Sequence, residues 1–147
     1  MENKIKIAIQ TKGRLNEDSM NLLNEAGIGL RMGKRVLVST AENFPMDALF
    51  LRDDDIPQAV ADGVSDIGIV GENEMEEKGK EVVVIKRLGF SKCRLSLAIP
   101  KSIEYPGIEF FNGKKIATSY PLILKKYLDE HNISADIHVI TGSVEIA

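Results

Sequence analysis

The chain alternates between two hydrophobic patterns, one typical of strands and one typical of helices. Isoleucines occupy every second position in KIKIAIQ (residues 4–10), which predicts a strand. After the turn TKGRL, apolar residues recur at helical spacing up to Ala26, and Gly27 ends the predicted helix. RVLVST (35–40) and DALFLR (47–52) are two further strand candidates.

The stretch RDDDIP (52–57) stands where a second helix is predicted to begin. Apolar or small residues follow at positions i, i+3, i+4 and i+7 from Ile56, and Gly63 ends the pattern. A carboxylate at a helix start accepts hydrogen bonds from free backbone N–H groups. We therefore expect at least one of Asp53 to Asp55 to cap this helix, and their charge to hold Arg52. A metal site is the alternative, but three consecutive side chains cannot all face one ion and no histidine supports them.

The rest of the chain continues the alternation of strand and helix. DIGIVG (66–71) predicts a buried strand of a parallel sheet, and an acidic helical turn follows it. A helix is predicted over residues 120–131, and SVEIA (143–147) resembles the start of another helix. Four further strand candidates lie before or after the first of these helices; they are EVVVIKRLGF (81–90), CRLSLAIP (93–100), KKIATS (114–119) and DIHVITG (136–142). The sequence therefore predicts an α/β architecture with two lobes, residues 1–92 and 93–147, and a cleft between them.

Composition narrows the classes of function. The 147 residues are 44% apolar and carry a net charge of −3, which describes a soluble, mildly acidic protein and argues against nucleic-acid or membrane partners. The single cysteine, Cys93, excludes an internal disulfide and a multi-cysteine zinc cluster, and we predict a buried, inert thiol. The beginning of the sequence has no apolar signal-peptide core, so a reducing cytoplasm is the expected location.

The candidate chemistry lies in turns rather than in a catalytic motif. There is no Walker A, G-x-G-x-x-G, H-E-x-x-H or G-x-S-x-G pattern, and His131 and His138 are expected to be structural or exposed. Four turns follow predicted strands, at the edge where open α/β sheets bind ligands; they are TKGRL (11–15), Gly71–Asn73, Ala117–Pro121 and Thr141–Glu145. Any one turn is ordinary in an α/β protein, but four together predict a small anionic ligand held between lobes.

Two of these turns have residues with a specific expected role. In the first, Gly13 lets the backbone approach a ligand closely, and Lys12 and Arg14 add positive charge just before a helix N-terminus. In the third, Ser119 is expected to cap the helix that follows, leaving neighbouring N–H groups for an anion.

Six motifs in this order resemble the ATP phosphoribosyltransferase family over essentially the whole chain. They are KGRL (12–15), RDDDIP (52–57), DGVSDIGIVGENEMEE (62–77), CRLSLAIP (93–100), GKKIATSYPLILKKYLDEHNIS (113–134) and TGSVEIA (141–147). RDDDIP together with GENEMEE and CRLSLAIP looks like the long, histidine-regulated form of the family. The resemblance implies two α/β lobes similar to type II periplasmic binding proteins, with the active site in the cleft.

The resemblance also implies a reaction. N1 of ATP is joined to C1 of phosphoribosyl pyrophosphate (PRPP) with inversion, and pyrophosphate carrying Mg2+ leaves, in the first step of histidine biosynthesis. Such a pentosyltransferase aligns substrates and neutralises charge, so we assign no catalytic acid or base and no metal bound by the protein itself. Carried over position by position, the resemblance assigns substrate binding to Lys12, Gly13, Arg14, Arg52, Glu72, Ser119, Tyr120, Ser143 and Glu145.

Finally, the resemblance implies that the chain corresponds to the N-terminal catalytic part of such an enzyme. The family's loop for the 5′-phosphate of PRPP and its regulatory domain come after the last motif found here. We therefore expect the chain to be inactive alone, and the full-length protein to form a homo-oligomer, a dimer or hexamer. The alternative is a non-enzymatic small-anion binding module of the periplasmic-binding-protein type, because the fold alone does not separate the two.

Overall fold

A computed structural model describes residues 3–31, 35–79, 81–142 and 144, and the chain divides into two compact units, residues 1–93 and 94–147. The described residues of the first unit form β1 (Ile5–Gln10), α1 (Arg14–Glu25), β2 (Val38–Thr40), β3 (Met46–Leu51), α2 (Ile56–Ala61), β4 (Ile67–Gly68) and α3 (Glu72–Lys78). A 3-10 helix, Asp53–Asp55, joins β3 to α2. Those of the second unit form a 3-10 helix at Ile108–Phe111, then β5 (Lys115–Thr118), α4 (Pro121–Glu130) and β6 (Asp136–Val139).

The sheet of the first unit has the strand order β2-β3-β1-β4, with β1 parallel to both β3 and β4 and β2 antiparallel to β3. The strand predicted at the start of the chain is confirmed as β1, and three consecutive residues of it, Ile7, Ala8 and Ile9, are buried. Ile7 and Ile9 share a core with Leu23 of α1, while Ala8 faces the other side, because alternate residues of a strand point to opposite faces. Helices therefore cover both faces of this central strand.

The strands predicted at 81–90 and 93–100 are wrong, because residues 81–107 contain no helix or strand. A strand is held by hydrogen bonds to a neighbouring strand. Among the described residues, no backbone group of residues 83–99 bonds to the backbone of another residue. Val83 and Ile85 accordingly remain 83% and 82% exposed, and Cys93, which was predicted to be buried, is exposed.

The predicted strand DIGIVG is present in shortened form. Hydrogen-bonded pairing covers Ile67 and Gly68, and the N–H of Ile69 donates to the Ala8 carbonyl at 3.0 Å. Among the described strands, β4 lies at the edge of the sheet, so the interior position expected from its apolar run is not observed.

In the second unit, β5 and β6 pair in parallel, and α4 contributes Leu124 and Leu128 to a core with Phe111 and Ile133. Tyr127 and His131, near the end of α4, do not join this core and are exposed. Their rings lie 4.3 Å apart on the surface. Within the described ranges, none of the helices has the length and apolar character needed to cross a bilayer.

Candidate functional site

The candidate site of the first unit is the sheet edge at which β1, β3 and β4 end. Because these three strands are parallel neighbours, their carboxyl ends lie along the same edge. The turn with Lys12 and Arg14 follows β1, Arg52 follows β3, and Glu72 comes four residues after the end of β4. The topology therefore brings together three chain segments that the sequence singled out separately.

The turn after β1 leads into α1 through a glycine and leaves the start of that helix without a side-chain cap. Gly13 is the N-cap of α1 with a φ of 97°, a conformation that favours glycine. The first helical hydrogen bond runs from the N–H of Glu17 to the Gly13 carbonyl at 3.1 Å, and no side chain caps the helix. The preceding N–H groups of the first turn therefore face outward from the helix end, beside the exposed Lys12 and Arg14.

Two anchors of this turn were not predicted from the sequence. Both the N–H and the hydroxyl of Thr11 donate to the carbonyl oxygen of Leu51, at 2.9 Å and 3.0 Å. The side-chain amide of Asn16 donates to the carbonyl oxygen of Gln10 at 2.7 Å. The signals available in the sequence were a threonine directly after a strand and an asparagine in a first helical turn, both too common to single out.

Arg52 is held by Asp54, as the sequence predicted. The guanidinium Nε lies 3.2 Å from Asp54 Oδ1, and Nη2 lies 3.4 Å from Oδ2. Lys78 Nζ approaches Oδ2 of the same carboxylate at 3.8 Å. Asp54 thus lies between two cations, and its charge fixes Arg52 next to the end of β3.

The predicted capping of α2 by an aspartate is wrong. Asp55 occupies the N-cap position but makes no side-chain cap hydrogen bond. A capping residue needs an extended backbone, whereas Asp55 has helical angles (φ −90°, ψ −18°) because Asp53–Asp55 itself forms a 3-10 helix. Among the described residues of this segment, the N–H of Asp54 donates to the carboxylate of Asp53 at 3.0 Å.

The middle one of the three aspartates pairs with two cations. Asp54 is committed to Arg52 and Lys78. Within the part of the chain that the structure describes, no group of three or more His, Cys, Asp or Glu side chains could hold a metal ion.

Glu72, a predicted site residue, is paired with a cation that the sequence did not single out. Its Oε1 lies 2.6 Å from Nε of Arg87, in the segment wrongly predicted as a strand. Both side chains are largely exposed, so the pair contributes little to stability. Its effect is local, because it compensates the charge of Glu72 and brings an additional arginine next to the start of α3.

In the second unit, the predicted residues lie at the carboxyl end of β5. The Ser119 hydroxyl donates to the Ile140 carbonyl at 2.6 Å, and the N–H of Tyr120 donates to Thr118 Oγ1 at 2.9 Å. The predicted capping of α4 by Ser119 is therefore wrong, since its hydroxyl joins the end of β5 to the residue after β6. Ser143 and Glu145 lie outside the described residues.

The sequence is similar to enzymes of known name. The family model described as "HisG: ATP phosphoribosyltransferase" matches residues 52–147. Over 143 residues the chain is 66% identical to the ATP phosphoribosyltransferase of Parabacteroides distasonis and 63% identical to that of Phocaeicola vulgatus, matches that cover 97% of this chain and 50% of each relative. The chain thus spans about half the length of the curated relatives it matches.

A solved structure shares the fold. The chain is similar to a chain of the ATP phosphoribosyl transferase (HisG:HisZ) complex from Thermotoga maritima, with a TM-score of 0.66 and 24% sequence identity. The match covers 97% of this chain and 67% of that chain. This likeness extends the mixed α/β fold described above to a protein of very different sequence.

Proposed function

The chain belongs to the ATP phosphoribosyltransferase family, and we propose on this basis that it carries the nucleotide-binding part of that family's reaction. In that reaction the phosphoribosyl group of PRPP is transferred to N1 of ATP, releasing pyrophosphate and opening histidine biosynthesis. The observation that carries the proposal is the 66% identity to a relative of that name over 97% of the chain. We assign only substrate binding to this chain, because it spans about half the length of that relative.

The edge where β1 and β3 end is proposed to bind the phosphates of ATP. Lys12 and Arg14 supply charge, Gly13 permits close approach of the backbone, and the N–H groups at the start of α1 are oriented outward. Arg52, held by Asp54, supplies a further cation at the same edge. The backbone of this turn is anchored by the hydrogen bonds of Thr11 and Asn16, so its N–H groups are already in place before a ligand arrives.

The remaining predicted site residues are part of the same proposal. Glu72 acts through its pair with Arg87, and Ser119 and Tyr120 mark the corresponding edge of the second unit. Ser143 and Glu145 remain predictions from the resemblance, as do the long-form type and the two lobes, residues 1–92 and 93–147, with a substrate cleft. Mg2+ is treated as part of the substrate, entering with the pyrophosphate group of PRPP.

The partners and the location of this protein are proposed from the family. The substrates proposed are ATP and PRPP, with no nucleic acid and no membrane, in the cytoplasm. The solved relative is a complex of HisG with HisZ. We retain the prediction of a homo-oligomer that the family resemblance implies. The alternative, a small-anion binding module without catalysis, is less favoured because the relatives reported above are named as transferases.

Replacing Arg14 tests the proposal. Arg14→Ala is expected to weaken ATP binding by roughly 10- to 150-fold, the equivalent of about 1.5–3 kcal/mol for a hydrogen bond to a charged group. The measurement is calorimetric titration of ATP at fixed salt into the variant and the wild-type chain.

Arg31→Ala is the matched control. Arg31 pairs with Glu42 in an exposed ion pair after the far end of α1, so its loss removes one positive charge without touching the turn. Equal affinity of the wild type and Arg14→Ala, with circular dichroism showing an intact fold, would remove this turn from the site.

A further inference from the structure

We propose that Asn16 is a positioning residue that fixes the cationic turn Lys12–Arg14 in its anion-binding conformation. The inference deepens the proposed function and rests on it. Asn16 is the third residue of α1, and only 6% of its surface is exposed. It therefore supports the turn from the buried side, through a hydrogen bond to the backbone, and its side chain is not exposed to solvent.

The hydrogen bond of Asn16 closes the turn into a ring. Its side-chain amide donates to the carbonyl of Gln10, the last residue of β1, at 2.7 Å. The bond thus ties the first turn of α1 to the end of the strand, across Thr11, Lys12 and Gly13. A turn that contains a glycine with positive φ has many alternative conformations, and this cross-link removes a large share of them.

The other side of the turn is anchored by Thr11. Its N–H and its hydroxyl share one acceptor, the carbonyl of Leu51, which immediately precedes Arg52. The two anchors therefore bracket Lys12 and Gly13, and the second also fixes where the turn begins relative to Arg52. A preorganised arrangement of this kind binds an anion more tightly than the same groups on a mobile loop.

The chemistry of Asn16 makes the role testable. The bond requires a donor, which an asparagine amide supplies and a leucine side chain of similar size does not. Asn16→Leu removes the donor without adding charge, so any change in affinity for an anion is not a direct electrostatic effect. Asn16→Asp is unsuitable as the main variant, because its carboxylate would itself repel ATP.

The experiment is a calorimetric titration of ATP into the wild-type chain and Asn16→Leu, at a fixed salt concentration and a temperature at which urea titration shows both proteins to be folded. The expected result is about tenfold weaker binding, corresponding to the loss of a hydrogen bond that holds the turn. Asn21→Ala, at an exposed position of the same helix, is the matched control and is expected to bind ATP like the wild type.

A double-mutant cycle separates positioning from a general structural role. If Asn16 acts through the turn, Asn16→Leu combined with Arg14→Ala binds ATP little more weakly than Arg14→Ala alone. Fully additive losses, or wild-type affinity in folded Asn16→Leu, would overturn the inference. Should Asn16→Leu not fold, Asn16→Ala removes the same donor, and an unchanged affinity there would also contradict the inference.

The outcomes also distinguish this inference from the proposed function. A folded wild-type chain that does not bind ATP would overturn the proposed function and the inference with it. A wild-type chain that binds ATP and depends on Arg14, but is indifferent to Asn16, would leave the proposed function standing and reject the positioning role alone.

Discussion

At the scale of single residues, two buried polar side chains of the first unit donate hydrogen bonds to nearby backbone carbonyls. Asn16 donates to Gln10 and Ser19 to Leu15, each over a short sequence distance. Ser65 is different, because it is 1% exposed and its hydroxyl has no hydrogen-bond partner among the described residues. A buried polar group without a partner opposes folding by its cost of desolvation.

Ser65→Ala is therefore predicted to stabilise the first unit. The expected gain in the free energy of unfolding is about 1 kcal/mol, because the substitution removes a desolvated hydroxyl and no hydrogen bond. Urea unfolding of the variant and the wild type measures it. Ser119→Ala, which removes the bond to the Ile140 carbonyl, is the control of opposite sign, and a destabilised Ser65→Ala would contradict the prediction.

Residue pairs were predictable when they were local. The ion pair between Arg52 and the aspartates was predicted because these residues are adjacent in the sequence, and it is confirmed at Asp54. The pair between Glu72 and Arg87 spans 15 positions and depends on the path of a segment without regular structure, so no local pattern indicated it. The capping role failed for another reason, since a 3-10 helix placed the aspartates inside a helical segment instead of before one.

At the scale of elements, the contact between α2 and β4 explains a glycine. Gly68 pairs with Ala8 in the sheet, and a Cβ at Gly68 would lie 2.6 Å from Cγ2 of Ile56 and 3.2 Å from Cγ2 of Val60. Ile56 is fully buried, so its side chain has little room to move away. The absence of a side chain at Gly68 is what allows α2 to lie this close to the strand.

Gly68→Ala is predicted to destabilise the first unit by about 1–3 kcal/mol, the usual cost of forcing an extra carbon into a packed interior. The measurement is the free energy of unfolding in urea. Gly142→Ala serves as the matched control, because a Cβ there would meet no atom within 4 Å. Equal losses for both variants would show that backbone freedom, rather than the contact with α2, determines the effect.

The elements predicted correctly are those whose hydrophobic pattern matches a neighbouring element that packs against them. The alternation in β1 and the helical spacing in α1 both match the observed elements. The run EVVVIKRLGF has a comparable propensity for strand formation, but it pairs with no described strand. Propensity describes how well a residue suits a sheet surface, and it does not supply the second strand.

At the scale of the whole molecule, the chain consists of two compact units and spans about half the length of its curated relatives. The α/β class was predictable, because strand and helix alternate in both halves. The position of the candidate site was predictable in part, because parallel strands collect their following turns at one edge. The cleft remains a prediction, since a pattern along the chain does not determine how two units meet.

The chain alone is predicted not to form phosphoribosyl-ATP at a useful rate. Alignment of two bound substrates accounts for roughly 7–11 kcal/mol of barrier lowering, and the chain spans about half the length of the curated relatives it matches. The assay follows the absorbance of phosphoribosyl-ATP with ATP, PRPP and Mg2+, beside the Parabacteroides distasonis enzyme as the full-length control. Turnover comparable to that control would show that these residues suffice for catalysis.

Gly13 has a consequence for how this protein tolerates mutation. A side chain at this position would meet no atom within 4 Å, so a ranking of positions by crowding would place Gly13 among the most permissive. Its φ of 97° leads to the opposite conclusion, because nearly every other amino acid would be strained there. At this position the constraint on sequence change comes from the handedness of the backbone and not from any neighbour.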